Sequence, residues 1–259
     1  MQRILAALLI KHGNKKYLNM SNQGIPHTHF DYFHCHKWSK SIRGIKDNPD
    51  YLVYWARMIK KIEMISEMIL DRIKDSEDDC MPSLAEVDKH NNLFKDDVAT
   101  LLSAVKVSEG AEEGIANRIE ENSQIIKCAL IMRNIANKYS RERLHEIIQG
   151  IKEEFVERLN AQRKQNLRMR IECMCADHDL TKKKIGNQEE LIFYNCPIFG
   201  VFKFLGLVDI SQEFCILCEA HGKREMQGNI SSPEDAYLSK SLSKKDNYCA
   251  FVIHTKPIF

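Results

Sequence analysis

The chain has 259 residues, enough for one large or two ordinary domains with a buried core. Hydrophobic residues make up 44% and charged residues 29%, which argues against wholesale disorder. A balance of 38 Lys and Arg against 36 Asp and Glu leaves a formal charge of +2, too small a global field to recruit nucleic acid or an anionic membrane.

The apolar opening from Ile4 to Ile10 lacks a small-x-small cleavage site, meets Lys11, His12, Lys15 and Lys16 at once, and is too short to span a bilayer. A cytoplasmic location is expected, where nine cysteines stay reduced instead of forming a disulfide framework. Residues 1–50 carry Gly13, Gly24, Pro26, Gly44 and Pro49 among Lys, Asn and His, the composition of a loop-rich or partly disordered segment. Within it lie His27, His29, Asp31, His34, Cys35 and His36. The first half of this run is similar to the His-x-His-x-Asp-His run of metallo-hydrolases, with Tyr32 standing where the last histidine is needed.

From residue 51 to about 160 the apolar period is helical. Trp55, Met58, Ile59, Ile62, Ile65, Met68, Ile69 and Ile73 mark one face of a first helix that ends between Asp75 and Pro82. Ser83 and Glu86 form a capping-box pattern for a second, broken near Asn91 and Asn92 and continued by Val98, Leu101, Leu102 and Val105. Ile115, Ile119, Ile125, Ile126, Leu130, Ile135 and Tyr139 define a third. Ser140 caps a fourth, which buries Leu144, Ile147, Ile148, Ile151, Phe155 and Leu159. Four apolar faces must be covered by one another or by a sheet, so a helical layer or bundle is expected.

Residues 161–259 read as a cysteine-rich α+β domain with a small antiparallel sheet. Met169, Ile171, Cys173 and Cys175 alternate as in a half-buried strand; a polar loop over Lys182 to Gly186 leads to a second strand at Leu191 to Tyr194. Pro197 opens a short helix that stops at Gly206, and Ser211 caps the next, running to about Gln227. Tyr237 to Leu242 and Tyr248 to Thr255 form a hairpin around Lys-Lys-Asp-Asn. The fold class is α+β, helices first. Cys80, in a polar turn, and Cys128, on a helix, carry no evident chemistry.

Cys196, Cys215, Cys218 and Cys249 fall at the ends and faces of the last elements. On a helix, Cys215, Cys218 and Glu219 share one side. The run Asn195-Cys196-Pro197-Ile198, then Phe199, Phe202 and Leu205-Gly206-Leu207, then Phe214-Cys215 with Glu219, then Leu242, Asp246, Cys249 and Phe251 resembles the L-2-amino-thiazoline-4-carboxylic acid hydrolase family over roughly residues 140–255. That pattern ends in Gly-Asp-x-x-Cys-x-Phe, and here Lys245 takes the place of the glycine.

The resemblance implies a hydrolase that opens a small cyclic amidine ring to a carbamoyl-cysteine product, without a cofactor. On that chemistry Cys249 or Cys215 is the nucleophile, Glu219 or Asp246 moves protons, and Cys196, Lys223 and Lys245 bind the substrate. The alternative uses Cys196, Cys215, Cys218 and Cys249 as zinc ligands, since Cys215-x-x-Cys218 has the usual pair spacing. The chain would then be a binding or sensor module, similar to vinyl-reductase-type regulatory domains. The expected partner is a small molecule, with no nucleic acid and no membrane; a homo-oligomer is compatible with either reading.

Overall fold

The computed structural model describes residues 50–73, 77–92, 111–161, 180–185, 188–193, 196–226 and 236–254. The His-rich run at 27–36, the strand expected at 169–175 and the residues around Val98 to Val105 lie outside these. The chain divides into two compact units, one of residues 1–62 and 82–127, the other of 63–81 and 128–259. Helices α1 (Asp50–Asp71) and α2 (Ala111–Lys138) each contribute to both.

In the first unit, Ile59, Ile62, Val87, Ile125 and Ile126 are buried, as their helical spacing requires. A helix over 84–92 starts where the capping pattern places it: Ser83 Oγ accepts the Glu86 N–H at 3.1 Å. Lys61, Asn91, Glu121 and Asn122 are buried there as well.

In the second unit the end of α1 buries Ile65, Met68 and Ile69, and the end of α2 buries Leu130, Ile131 and Ile135. Tyr139, expected on the buried face, is instead 42% exposed with the Lys138 ammonium 5.5 Å from its ring, because α2 stops at Lys138 and the chain turns there. Cys80, expected in a polar turn, closes the single helical turn Glu77–Cys80 and is fully buried; its carbonyl accepts from Asn134 Nδ2 at 3.1 Å.

Ser140 caps α3 (Arg141–Ala161) as expected, its Oγ accepting the Arg143 N–H at 3.1 Å. Helix α4 (Pro197–Phe204) begins on proline and ends at Gly206, whose φ of 72° suits glycine. There the Leu207 N–H reaches Phe202 O at 2.7 Å and the Gly206 N–H reaches Lys203 O at 3.1 Å, the double closure that stops a helix abruptly. Helix α5 (Val208–Met226) starts earlier than expected. Ser211 is inside it, donating to Val208 O at 2.5 Å, and the first turn closes on Leu207 O.

Helices α3 and α5 run side by side in the same direction. Arg141 meets Asp209 at 3.3 Å, His145 meets Glu213 at 2.9 Å, and the rings of Phe155 and His221 meet edge to face. Phe202 of α4 packs edge to face on Phe214 of α5.

Among the described residues the sheet is four-stranded and antiparallel, in the order β1 (Leu180–Ile185), β2 (Gln188–Phe193), β4 (Cys249–His254), β3 (Ala236–Lys240). Residues 182–185, read as part of a polar loop, therefore form most of an edge strand of the described sheet. Lys183 and Lys184 are exposed there, and lysine on an edge discourages pairing with another chain, so polarity did not signal a loop. Alternation puts Leu191, Phe193, Ala236, Leu238, Phe251 and Ile253 in one cluster on one face of the sheet.

Helix α5 lies close to that face at Gly222, where an added Cβ would stand 2.8 Å from Cε2 and Cζ of Phe251. The expected hairpin of β3 and β4 is present. Its connection is longer than a four-residue turn, however, and includes a 3-10 turn at Leu242–Lys244. A bulge between Leu238 and Lys240 bends β3 just before this connection.

Candidate functional site

The 241–246 turn is closed on itself. The Asp246 N–H donates to Ser241 O at 3.2 Å, and the Ser241 N–H donates to Asp246 Oδ2 at 2.8 Å. Lys245 sits at φ 70°, ψ 17°, the left-handed region, at the position where the hydrolase pattern has glycine. The departure noted in the sequence thus falls where the backbone favours glycine, and the lysine adopts that conformation.

Gln212, Cys215, Cys218, Glu219 and Gly222 share one stripe of α5, and Gln212, Cys215 and Gly222 of that stripe meet this turn and the sheet beyond it. Gln212 Nε2 donates to Ser243 O at 3.3 Å. The sulfur of Cys215 lies 3.1 Å from Ser243 Oγ and 3.4 Å from Ser241 Oγ, and those two hydroxyls are 2.6 Å apart. Both serines are 1% exposed and Cys215 is half-buried, and the three atoms form a closed triangle, with the Ser243 N–H also turned to Ser241 Oγ at 3.3 Å. Each of the three groups can both donate and accept, so the triangle closes on its own hydrogen bonds.

Cys249, the first residue of β4, points its sulfur at the same turn and accepts the Leu242 N–H at 3.3 Å. Cys196 is the N-cap of α4, its sulfur accepting the Phe199 N–H at 3.4 Å. Strand register brings Cys196 into the neighbourhood: Phe193 is directly opposite Cys249, and Cys196 follows three residues later.

Burial pushes the Cys196 thiol up to about 12, with the charge of Cys249 and then of Cys215 adding to it. Burial likewise pushes Cys249 up to about 11; the Leu242 N–H opposes this, while Cys215 and Cys218 reinforce it. Of the four thiols, Cys249 therefore stands within electrostatic reach of the other three.

The remaining expected site residues divide. Asp246 belongs to the turn, but one of its oxygens is engaged in closing it. Lys245 is exposed on the same turn. Glu219 and Lys223, one helical turn apart on α5, pair with each other at 3.0 Å, both about one-third exposed. The structure thus brings Cys215, Cys249, Asp246 and Lys245 to one turn, places Cys196 and Cys218 around Cys249, and sets Glu219 with Lys223 further along α5.

Among the described residues no group of three or more His, Cys, Asp or Glu is arranged to hold a metal ion, the four cysteines read as zinc ligands included. No described helix is long and apolar enough to cross a membrane. Ser241, Ser243 and Gln212 escaped the sequence reading. Serines two apart beside a strand look like ordinary turn residues, and only the approach of α5 makes them partners of a thiol.

Comparison with protein-family models, with curated proteins and with solved structures finds no match.

Proposed function

We propose that the α+β part of this protein is a hydrolase that opens a small cyclic amidine, such as 2-amino-thiazoline-4-carboxylate, with Cys215 as the nucleophile. The observation that carries this reading is the Cys215 sulfur held against two buried hydroxyls on a turn that also receives Cys249. Cys249 is the weaker nucleophile, because a thiol pushed up to about 11 is almost wholly protonated at neutral pH. The left-handed backbone at Lys245 adds support, since it gives the glycine of the family pattern a physical reason.

The Cys215 thiolate attacks the ring carbon between nitrogen and sulfur, and the tetrahedral adduct collapses with breakage of the ring carbon–sulfur bond. The departing sulfur takes up a proton. Water then adds to the resulting S-amidino enzyme and expels the Cys215 thiolate, giving a carbamoyl-cysteine. Glu219 serves the proton transfers, four residues from Cys215 on the same helix. Lys223, beside it, attracts the substrate carboxylate.

Turnover of 2-amino-thiazoline-4-carboxylate, followed by appearance of the carbamoyl product, tests this directly. Cys215→Ala is expected to lower kcat by roughly 10⁴-fold or more, as loss of a covalent nucleophile does, while Cys249→Ala keeps measurable turnover. Full activity of Cys215→Ala, or no turnover of any cyclic amidine by the unmodified protein, overturns the proposal.

A further inference from the structure

Cys249 is unused in the reaction just described, yet it shares the 241–246 turn with the reactive thiol. Cys215 Sγ contacts the Ser241 side chain at 3.4 Å, and Cys249 Sγ takes the N–H of the very next residue, Leu242, at 3.3 Å. The two sulfurs therefore meet adjacent residues of one turn, one arriving from a helix and the other from a strand. Neither is fully buried. Each is held by hydrogen bonds weak enough to exchange, since sulfur accepts poorly. Cys80 and Cys128, by contrast, are fully enclosed.

We propose that Cys215 and Cys249 form a redox pair: hydrogen peroxide oxidises Cys215, and Cys249 resolves the product to a disulfide that silences the site. The pair rests on the reading of Cys215 as the reactive thiol. In the first step the Cys215 thiolate sulfur attacks a peroxide oxygen. The O–O bond breaks, an S–O bond forms, and the departing hydroxide takes a proton to leave as water. In the second, the Cys249 sulfur attacks the Cys215 sulfenic acid, the S–S bond forms, and the hydroxyl leaves with the Cys249 proton as a second water. Two thiols and one peroxide thus become one disulfide and two waters.

Burial pushes the Cys249 thiol up to about 11, which disfavours it as the first thiol to be oxidised. Closure would pull the Cys215 sulfur off Ser241 and Ser243 and the Cys249 sulfur off the Leu242 N–H, tying α5 to the start of β4. In a reducing compartment such a bond is transient, which suits a switch more than a structural link.

The experiment is a peptide map of the full chain under non-reducing conditions, after treatment with one equivalent of hydrogen peroxide and then a thiol alkylator. Trypsin is expected to leave the peptide containing Cys215 and Cys218 joined to the one containing Cys249, with fragmentation placing the bond on Cys215 and dithiothreitol reversing it. In Cys249→Ser, oxidation is expected to stop at a Cys215 sulfenic acid that dimedone traps. A cross-link of Cys215 to Cys218 or Cys196, a Cys215 that passes to sulfinic acid uncoupled, or free Cys215 and Cys249 after oxidant overturns the pairing. Should Cys249→Ser fail to fold, the map of the unmodified chain decides alone. The map needs no substrate: a Cys215–Cys249 cross-link without ring-opening activity would reject only the hydrolase reading, whereas activity without the cross-link rejects only the switch.

Discussion

Cys128 and Cys215 both stand on long helices, within the same kind of apolar repeat, yet the structure gives them different surroundings. Around Cys128 in α2, Ile125, Ile126, Ala129, Leu130, Ile131 and Met132 are each no more than 2% exposed, and the thiol itself is fully buried. Around Cys215 in α5 the neighbours on its own stripe are Gln212, Cys218 and Glu219, and across from it are two hydroxyls. Cys128 is packed as a small apolar side chain, whereas the Cys215 sulfur meets two hydroxyls. What separates the two is the element each helix packs against: a 3-10 turn beside a strand brings polar atoms to α5.

Mutation should sharpen this contrast. Cys215→Ala is expected to remove turnover while moving stability by no more than about 1 kcal/mol, since only a small, half-buried group is lost. Cys128→Ala should do the reverse, costing roughly 1–2 kcal/mol for the cavity it leaves and sparing kcat. Calorimetry beside an activity assay checks both, and a Cys128→Ala variant that is stable but inactive would dissolve the distinction.

Next in size is the close contact that sets the distance between α5 and the sheet. Gly222→Ala puts a methyl 2.8 Å from the Phe251 ring, and overpacking of that kind is expected to cost about 1–3 kcal/mol, read as a lowered denaturation midpoint. Gly150, on α3 with open space around its Cβ position, is the control: Gly150→Ala should stabilise by roughly 0.5–1 kcal/mol.

The thiols also predict an alkaline limb of stability. Cys249 and Cys196 are raised in the folded state, to about 11 and about 12, while the unfolded chain's thiols ionise near 9.0. The folded state therefore holds protons that the unfolded state has lost. Stability is fully present below about pH 9.0 and falls as pH rises toward 11 to 12. Urea titrations across that window, compared with the Cys196→Ala, Cys249→Ala double variant, should show the slope shrinking in the variant.

The smallest expected effect is at Lys245. Lys245→Gly relieves a left-handed lysine and should raise stability by roughly 0.5–1 kcal/mol, provided the turn is unchanged. A loss of stability would show that the lysine side chain contributes more than its backbone costs.

Much of the fold could be read from residue spacing because those signals are local. Isoleucine at steps of three and four announces α1, α2 and α3, Ser83 and Ser140 cap where they should, and Pro197 and Gly206 bracket α4. Errors came where local chemistry is ambiguous. Lys182 to Lys184 read as a loop because an edge strand tolerates the same polar residues that loops do, and Ser211 read as a cap because its hydroxyl bonds backward to Val208 within the helix.

The site was legible only as a set of residue types. Composition and order alone determined that six of the nine cysteines fall in the last third of the chain, and that α5 carries Cys215, Cys218 and Glu219 on one side. Which of them share surroundings was decided in three dimensions. A bulge at β3, a left-handed turn at Lys245 and a glycine-mediated approach of α5 bring Cys215 to Ser241 and Ser243, and Cys249 to the Leu242 N–H. Those hydrogen bonds join residues up to 28 positions apart, and no pattern within one helix or one strand encodes a contact between the two.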